Sequence, residues 1–143
     1  MITIKAIKAE DTYNLRLKIL KTCDEYQYKY QGDFNMNTVH FGAFKNVNLI
    51  GIVSLMKARN NSFIESQMQL RGMAIDIEYQ EKNIGKFLIE QCNKHCKTNK
   101  IDLIWCNARE LAIGFYKKQG FMIKGDSFHI KNVGRHFLMY KLI

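Results

Sequence analysis

Hydrophobic and polar positions alternate at the start of the chain, where "TIKAI" (3–7) reads as a short first strand. Residues 10–23 change period. Leu15, Ile19 and Leu20 recur near helical spacing with Leu17 on a flank, and Asp11 or Thr12 stands where a cap belongs. Residues 24–38, "DEYQYKYQGDFNMNT", are polar and aromatic without a clear period and are expected to form a loop with a helical turn. Three strands are predicted next, over 39–44, 49–57 and 63–75, separated by the turn signals "KNVN" and "ARNNS". A helix over 85–97 follows, its apolar stripe made of Ile84, Phe87, Leu88, Cys92 and Cys96. A strand over 101–107, a helix over 110–119 ended by Gly120, and a closing pair of strands over 121–130 and 135–143 complete the order β-α-β-β-β-α-β-α-β-β. This is an α/β chain: a mixed, mostly antiparallel sheet flanked by helices.

No linker, repeat or low-complexity block interrupts the pattern, so residues 1–143 read as one domain, large enough to bury a core. No stretch has signal-peptide or membrane-span character, which makes a cytoplasmic protein the expectation and a membrane partner not one. The four cysteines then read as reduced thiols. Cys92 and Cys96 lie one helical turn apart beside His95, but no second ligand pair stands at metal-site spacing, so no metal is expected and the two read as small core hydrophobes. Lysine and arginine number 22 against 13 acids, a formal charge of +9. The excess favours an anionic partner, which includes a phosphate-rich cofactor or an acidic substrate. It carries no nucleic-acid motif and no basic aromatic stripe, so nucleic acid is not the expected partner.

The chemistry concentrates in "QEKNIGK" (80–86), a polar turn between a strand and a helix. Such a turn offers unpaired N–H groups and the positive end of a helix dipole, and so suits an anion. Asn83 and Gly85 are the two residues best suited to a left-handed backbone, Gly85 places no side chain in a ligand's way, and Lys82 and Lys86 add charge at the rim.

A second stretch, "NARELAIGFYKKQGF" (107–121), gives the first its meaning. The turn resembles the acetyl-CoA signature of the GNAT N-acetyltransferase superfamily, Arg/Gln-x-x-Gly-x-Gly/Ala. The later stretch is similar to that superfamily's Asn-x-x-Ala-x-x-x-Tyr-x-x-x-Gly-Phe. The spacing between the two and the element order match over nearly the whole chain. "QLRGMA" and "FHIKNVGRHFLM" further resemble a bacterial subgroup of undefined acceptor. The resemblance implies acetyl-CoA as cofactor. The backbone of Met73, Ala74 and Ile75 would pair with the pantetheine arm, and Gln80, Glu81, Lys82, Asn83, Ile84, Gly85 and Lys86 would wrap the pyrophosphate. Asn107 would hydrogen-bond the cofactor and Tyr116 would sit beside the thioester sulfur. Asn83 stands where the family usually has Gly, and Ile77 where many members have Pro. Asn tolerates the left-handed region, so the cradle is expected to survive, with weaker cofactor affinity as the expected cost.

Acetyl transfer needs a base for the amine, a polarised carbonyl and an acid for the departing thiolate. A phenol is neutral at pH 7 and can donate, which suits Tyr116. For the base, Glu78 lies nearest the cradle. Glu65 and the strand histidines His40, His129 and His136 are alternatives. Arg71 is expected to bind an acidic part of the acceptor, with His40 and His129 nearby, and Cys106 is the weaker candidate for an acylated intermediate. The acceptor pocket is expected to draw on Tyr26, Tyr28, Tyr30, Phe34, Phe128 and His129. The reading is an N-acetyltransferase acting on a small-molecule or peptide amine, as a monomer or homodimer. A non-catalytic acyl-CoA-binding regulator is the alternative.

Overall fold

The computed structural model describes residues 1–20, 27–131 and 133–143. Strand β1 (Ile2–Ile7) leads through a 3₁₀ turn into helix α1 (Tyr13–Ile19). Strands β2 (Val39–Lys45), β3 (Asn48–Met56) and β4 (Gln67–Ile75) form a meander. Helix α2 (Ile84–Thr98), strand β5 (Leu103–Arg109), helix α3 (Ile113–Lys118), two short strands β6 (Met122–Ile123) and β7 (Phe128–Ile130), and strand β8 (Gly134–Leu142) complete the chain. The sheet runs β1-β2-β3-β4-β5-β8-β6, with β7 also paired to β8. Among the described residues only β4 and β5 pair in parallel. No helix among the described residues is long and apolar enough to cross a membrane.

The element order matches the pattern of the sequence, and the differences have local causes. Helix α1 is shorter than its period implies, because residues 9–12 coil as 3₁₀: Lys8 N–H is accepted by Asp11 Oδ2 at 3.0 Å and Thr12 Oγ1 donates to Ala9 O. The predicted end of that helix, with Cys23, lies outside the described residues. Strand β4 begins at Gln67 rather than at residue 63. The Gln67 side chain accepts from Asn60 N–H and donates to the carbonyls of Phe63 and Glu65, which fastens residues 60–66 as a loop. Phe63 packs there with Leu103 and Trp105. The single strand expected over 121–130 is two, β6 and β7, with Gly125 at φ +79° between them. On α2 the buried stripe is Ile84, Leu88, Ile89, Cys92 and Cys96, while Phe87 is 38% exposed at its flank. Gly120 closes α3 as expected, at φ +93°, with Phe121 N–H donating to Tyr116 O.

The sheet separates two packed layers. Ile50, Val53, Leu55, Met68, Leu70, Ile104, Cys106 and Met139 meet α2 and α3 on one face. On the other, Leu15 of α1 packs with Ile52 and Ala74. A charge sits in this second layer. Arg16 is 1% exposed and donates to both carboxylate oxygens of Asp33, at 2.8 and 3.0 Å. It also donates to Tyr28 O and to Ser54 Oγ. Ser54 Oγ lies 2.6 Å from His40 Nδ1, and His40 Nε2 lies 3.0 Å from Asp33 O. A carbonyl can only accept, so Nε2 carries the proton and Ser54 donates to Nδ1.

Removing one partner of this pair leaves a buried charge without compensation. Arg16→Ala and Asp33→Ala should each lower the unfolding free energy by about 3–5 kcal/mol. The double variant should lose less than the sum, which denaturant titration of the three proteins would show. Additive losses would mean that the pair does not act as a unit.

Candidate active site

The site begins where one strand pairing stops. Strands β4 and β5 are in register only at Gln67–Leu103, Met68–Ile104 and Gln69–Trp105. Beyond these, β4 continues along β3 and β5 continues along β8. In β4 an extra residue intervenes between the pairs Ser54–Arg71 and Ile52–Ala74, and Gly72 there takes φ +64°. A left-handed glycine at a bulge sharpens the local twist. The open wedge forms a cleft of about 1340 Å³, larger than the roughly 300–1,000 Å³ of a pocket for one small ligand. Along β4 it exposes Leu70 to Ile75, and along β5 it exposes Cys106 to Arg109.

One end of the cleft is the turn before α2. Asn83 is the N-cap residue, at φ 67°, as its residue type leads one to expect, and it makes no side-chain cap bond. Phe87 N–H reaches Asn83 O, and no acidic residue occupies the first helical turn. The N–H groups of Ile84, Gly85 and Lys86 therefore face outward without a cap, at the positive end of a 15-residue helix. Glu81 also takes a left-handed backbone, φ 60°, which its residue type does not foreshadow. Gly85 departs from expectation: its φ is not positive. An added Cβ would lie 2.8 Å from the Phe115 ring, so Gly85 lets α2 abut α3. Gln80 braces the turn by donating to Ile75 O.

Of the expected cofactor residues, Met73, Ala74, Ile75, Gln80, Glu81, Asn83, Ile84, Gly85, Lys86, Asn107 and Tyr116 all line the cleft. Lys82 does not; its ammonium lies over the Tyr79 ring. Tyr116 is 7% exposed, its ring edge-on to Phe115 and Phe121. Burial raises its phenol well above the ordinary 10.0; the Cys106 and Cys92 sulfurs push the same way and Arg109 opposes them. The hydroxyl makes no hydrogen bond among the described residues. A phenol so placed stays protonated and free to donate.

Several expected residues stand apart from the cleft. Glu78 is exposed on the 3₁₀ turn Ile77–Tyr79 and does not line it. His40 is 4% exposed in the Arg16 network with both ring nitrogens engaged, so it is out of reach of a substrate. His129 is exposed on β7 outside the cleft, and Glu65 is held in the 60–66 loop. Of the expected aromatics only Tyr30 lines the cleft; Tyr28 packs against Tyr13, Phe34 and Phe128 lie elsewhere, and Tyr26 falls outside the described residues. Cys106 lines the cleft, but burial pushes its thiol up to about 12, which disfavours the thiolate needed for acylation. Burial likewise raises Cys92, with a contribution from Cys96, and raises Cys96 to about 11.

Two lining residues complete the site. His136, one of the strand histidines expected as an alternative base, is buried with Nδ1 2.9 Å from Gly134 O. That contact places the proton on Nδ1 and leaves the Nε2 lone pair without a partner among the described residues. Arg109, paired opposite His136 in the sheet, donates one Nη2 hydrogen to Leu20 O.

A wedge between parallel strands, with an uncapped helix start at one end and a buried phenol at its wall, suits a ligand that carries an anion and a step that needs a proton donor. Residues 8–142 match the family described as acetyltransferase (GNAT) domain, and the chain belongs to that family. The uncharacterized N-acetyltransferase YitI of Bacillus subtilis is 34% identical over all of this chain and 97% of its own length. Two solved structures share the fold at low identity. Escherichia coli ElaA superposes with a TM-score of 0.81 at 16% identity, covering 99% of each chain. The PaiA N-acetyltransferase of Thermoplasma acidophilum, solved with coenzyme A, superposes at 0.71 and 20% identity, covering 100% of this chain and 99% of that one.

Two outcomes follow. Glu81→Gly relieves a left-handed non-glycine residue and should raise stability by about 0.5–1 kcal/mol, read as an increase in Tm; a decrease would mean that the Glu81 side chain makes a needed contact. The thiols set an alkaline limit. Their folded pKa values are raised, so their stabilising contribution is complete below the unfolded value of 9.0 and fades as pH rises through the folded values. Each contributes a loss of about 1.4 kcal/mol per pH unit once the unfolded thiol ionises. Denaturant titrations from pH 8 to 11 should show falling stability above about pH 9, and a flat profile would contradict the burial of these groups.

Proposed function

We propose that this acetyltransferase moves an acetyl group from acetyl-CoA directly to a primary amine. Residues 1–143 act as one catalytic domain in the cytoplasm. The observation that carries this reading is the cleft itself: one continuous opening joins the uncapped start of α2 to Tyr116 and His136. The anion-binding end fits a pyrophosphate on this structure's own terms, since the outward N–H groups of residues 84–86 lack any capping carboxylate.

When bound, acetyl-CoA supplies an activated acyl carbon on a thiol leaving group. The chain's residues do the rest. On its β5 side β4 has no strand partner past Gln69, so the backbone at Met73–Ile75 is available there to the pantetheine amides, and an N–H there polarises the thioester oxygen. Asn107 adds a side-chain amide from the opposite wall. His136 takes the proton that the amine nitrogen loses on forming its bond to the acyl carbon. Tyr116 gives its proton to the sulfur as the C–S bond breaks. The base and acid lie on β8 and α3, so each meets a different partner of the ternary complex.

Release of free thiol when amines are offered tests the reading, and CoA binding with no thiol release for any amine would contradict it. The sharper test is Tyr116→Phe. Turnover should fall about 10²- to 10⁴-fold with the KM for the amine nearly unchanged, because the hydroxyl acts only in the transition state. A variant within about twofold of the parent would remove Tyr116 from the chemistry.

A further inference from the structure

We propose that the amine acceptor is a small molecule bearing an anionic group, a carboxylate or a phosphate, held by Arg71 and Arg109. The proposal rests on the acetyl-transfer reading above and adds the acceptor's chemical class.

Strand alternation assembles the chamber. Before the bulge, Met68 and Leu70 of β4 point into the α2 layer, so Gln69 and Arg71 point to the opposite face. On β5, Cys106 and Ala108 point into that layer, so Asn107 and Arg109 share the face of Arg71. His136 stands opposite Arg109 on β8. The proposed base therefore shares its wall with two guanidinium groups, and all of these residues line the one cleft.

Neither guanidinium is paired with a carboxylate among the described residues. The ion pairs among the described residues are Arg16–Asp33, Lys18–Asp76 and Arg135–Glu110. The one acidic residue lining the cleft among the described residues is Glu81, in the turn before α2 at the cofactor end. Arg71 makes no hydrogen bond among the described residues, yet it is positioned. Its guanidinium lies 4.3 Å from the centroid of the Tyr30 ring. That ring is held in turn by buried Arg16 at 3.7 Å, and the Tyr30 N–H donates to Asp33. The contact with the ring holds the Arg71 guanidinium in place and leaves its N–H donors to a ligand, a group that suits a planar carboxylate or a phosphate.

The same charges oppose the alternatives. An amine enters mostly as an ammonium and must shed a proton before it attacks. Two unpaired cations favour that loss but repel the ammonium, and an anion elsewhere on the molecule offsets the repulsion. A polyamine or aminoglycoside brings only more positive charge to a wall that has no carboxylate among the described residues. The chain's net charge of +9 draws anions from a distance in the same sense.

The experiment compares matched pairs at saturating acetyl-CoA: L-amino acids against their carboxamides, glucosamine 6-phosphate against glucosamine, with spermidine as the polycation. At least one anionic member should exceed its neutral twin in kcat/KM by about 10- to 100-fold, and the pair that responds separates carboxylate from phosphate. Arg71→Gln should bring that ratio close to one, and Arg71→Lys should leave it between the two, with circular dichroism confirming the fold. Preference for neutral twins or spermidine, or a ratio untouched in Arg71→Gln, would overturn the proposal. If acetyl-CoA binds and no member releases thiol, the transfer reading fails; calorimetry of the same pairs with CoA then decides the acceptor class. Tighter binding of an anionic member, lost in Arg71→Gln, would support it, and equal affinity or no binding would overturn it.

Discussion

The whole site depends on a strand pairing that is allowed to fail. Parallel strands β4 and β5 hold register over three residue pairs and then part. Each keeps its other neighbour, β3 or β8, so the sheet stays continuous while its centre opens. The bulge at Gly72 is the local device: one extra residue and one left-handed backbone turn β4 from its former course. An interior sheet edge left unpaired in this way is costly unless something else meets its backbone groups. The proposed cofactor, with its extended amide-bearing arm, would meet that demand.

The second support lies under the wedge. Buried Arg16 ties α1 to the 27–38 loop through Asp33 and to β3 through Ser54, while its upper face carries Tyr30. A hydrophobic residue at position 16 would pack in the same layer but would not hold Tyr30, and through it Arg71, in one orientation. A buried pair adds little to stability compared with a well-packed apolar replacement. Its use in this protein is directional, because it sets the geometry of the cleft wall that carries Tyr30 and Arg71.

Much of the architecture was legible because it is written in local periods. The alternation of β2 and β3, the apolar stripe of α2, the turn residue Asn83 and the terminating Gly120 each act within a few residues of themselves. The turn at 80–86 and the stretch 107–121 stood out for the same reason, and both contribute residues to the cleft. What escaped was decided by contacts distant in sequence. Gly85 looked like a residue needed for its backbone, but the constraint is the Phe115 ring, thirty positions away on another helix. His40 looked like a substrate ligand, but Asp33 and Ser54 take both of its nitrogens. Glu78 stood close to the cradle in sequence and yet faces solvent. Arg109 gave no motif signal, and His136, expected only as one of several alternative bases, had none that set it above the others; the two meet because β5 and β8 pair in one register. A slip of β8 by one residue would turn His136 away from the cleft and from Arg109.

The central claim is that acetyl-CoA lies in the wedge between β4 and β5 with its pyrophosphate at the start of α2. Hydrogen exchange of backbone amides with and without acetyl-CoA tests it directly. Amides of Met73–Ile75 and of Ile84–Lys86 should exchange more slowly in the complex, since the first group gains partners along an open edge and the second gains an anion. Binding that leaves both segments exchanging at their free rates, or protects only residues outside the cleft, would contradict the account.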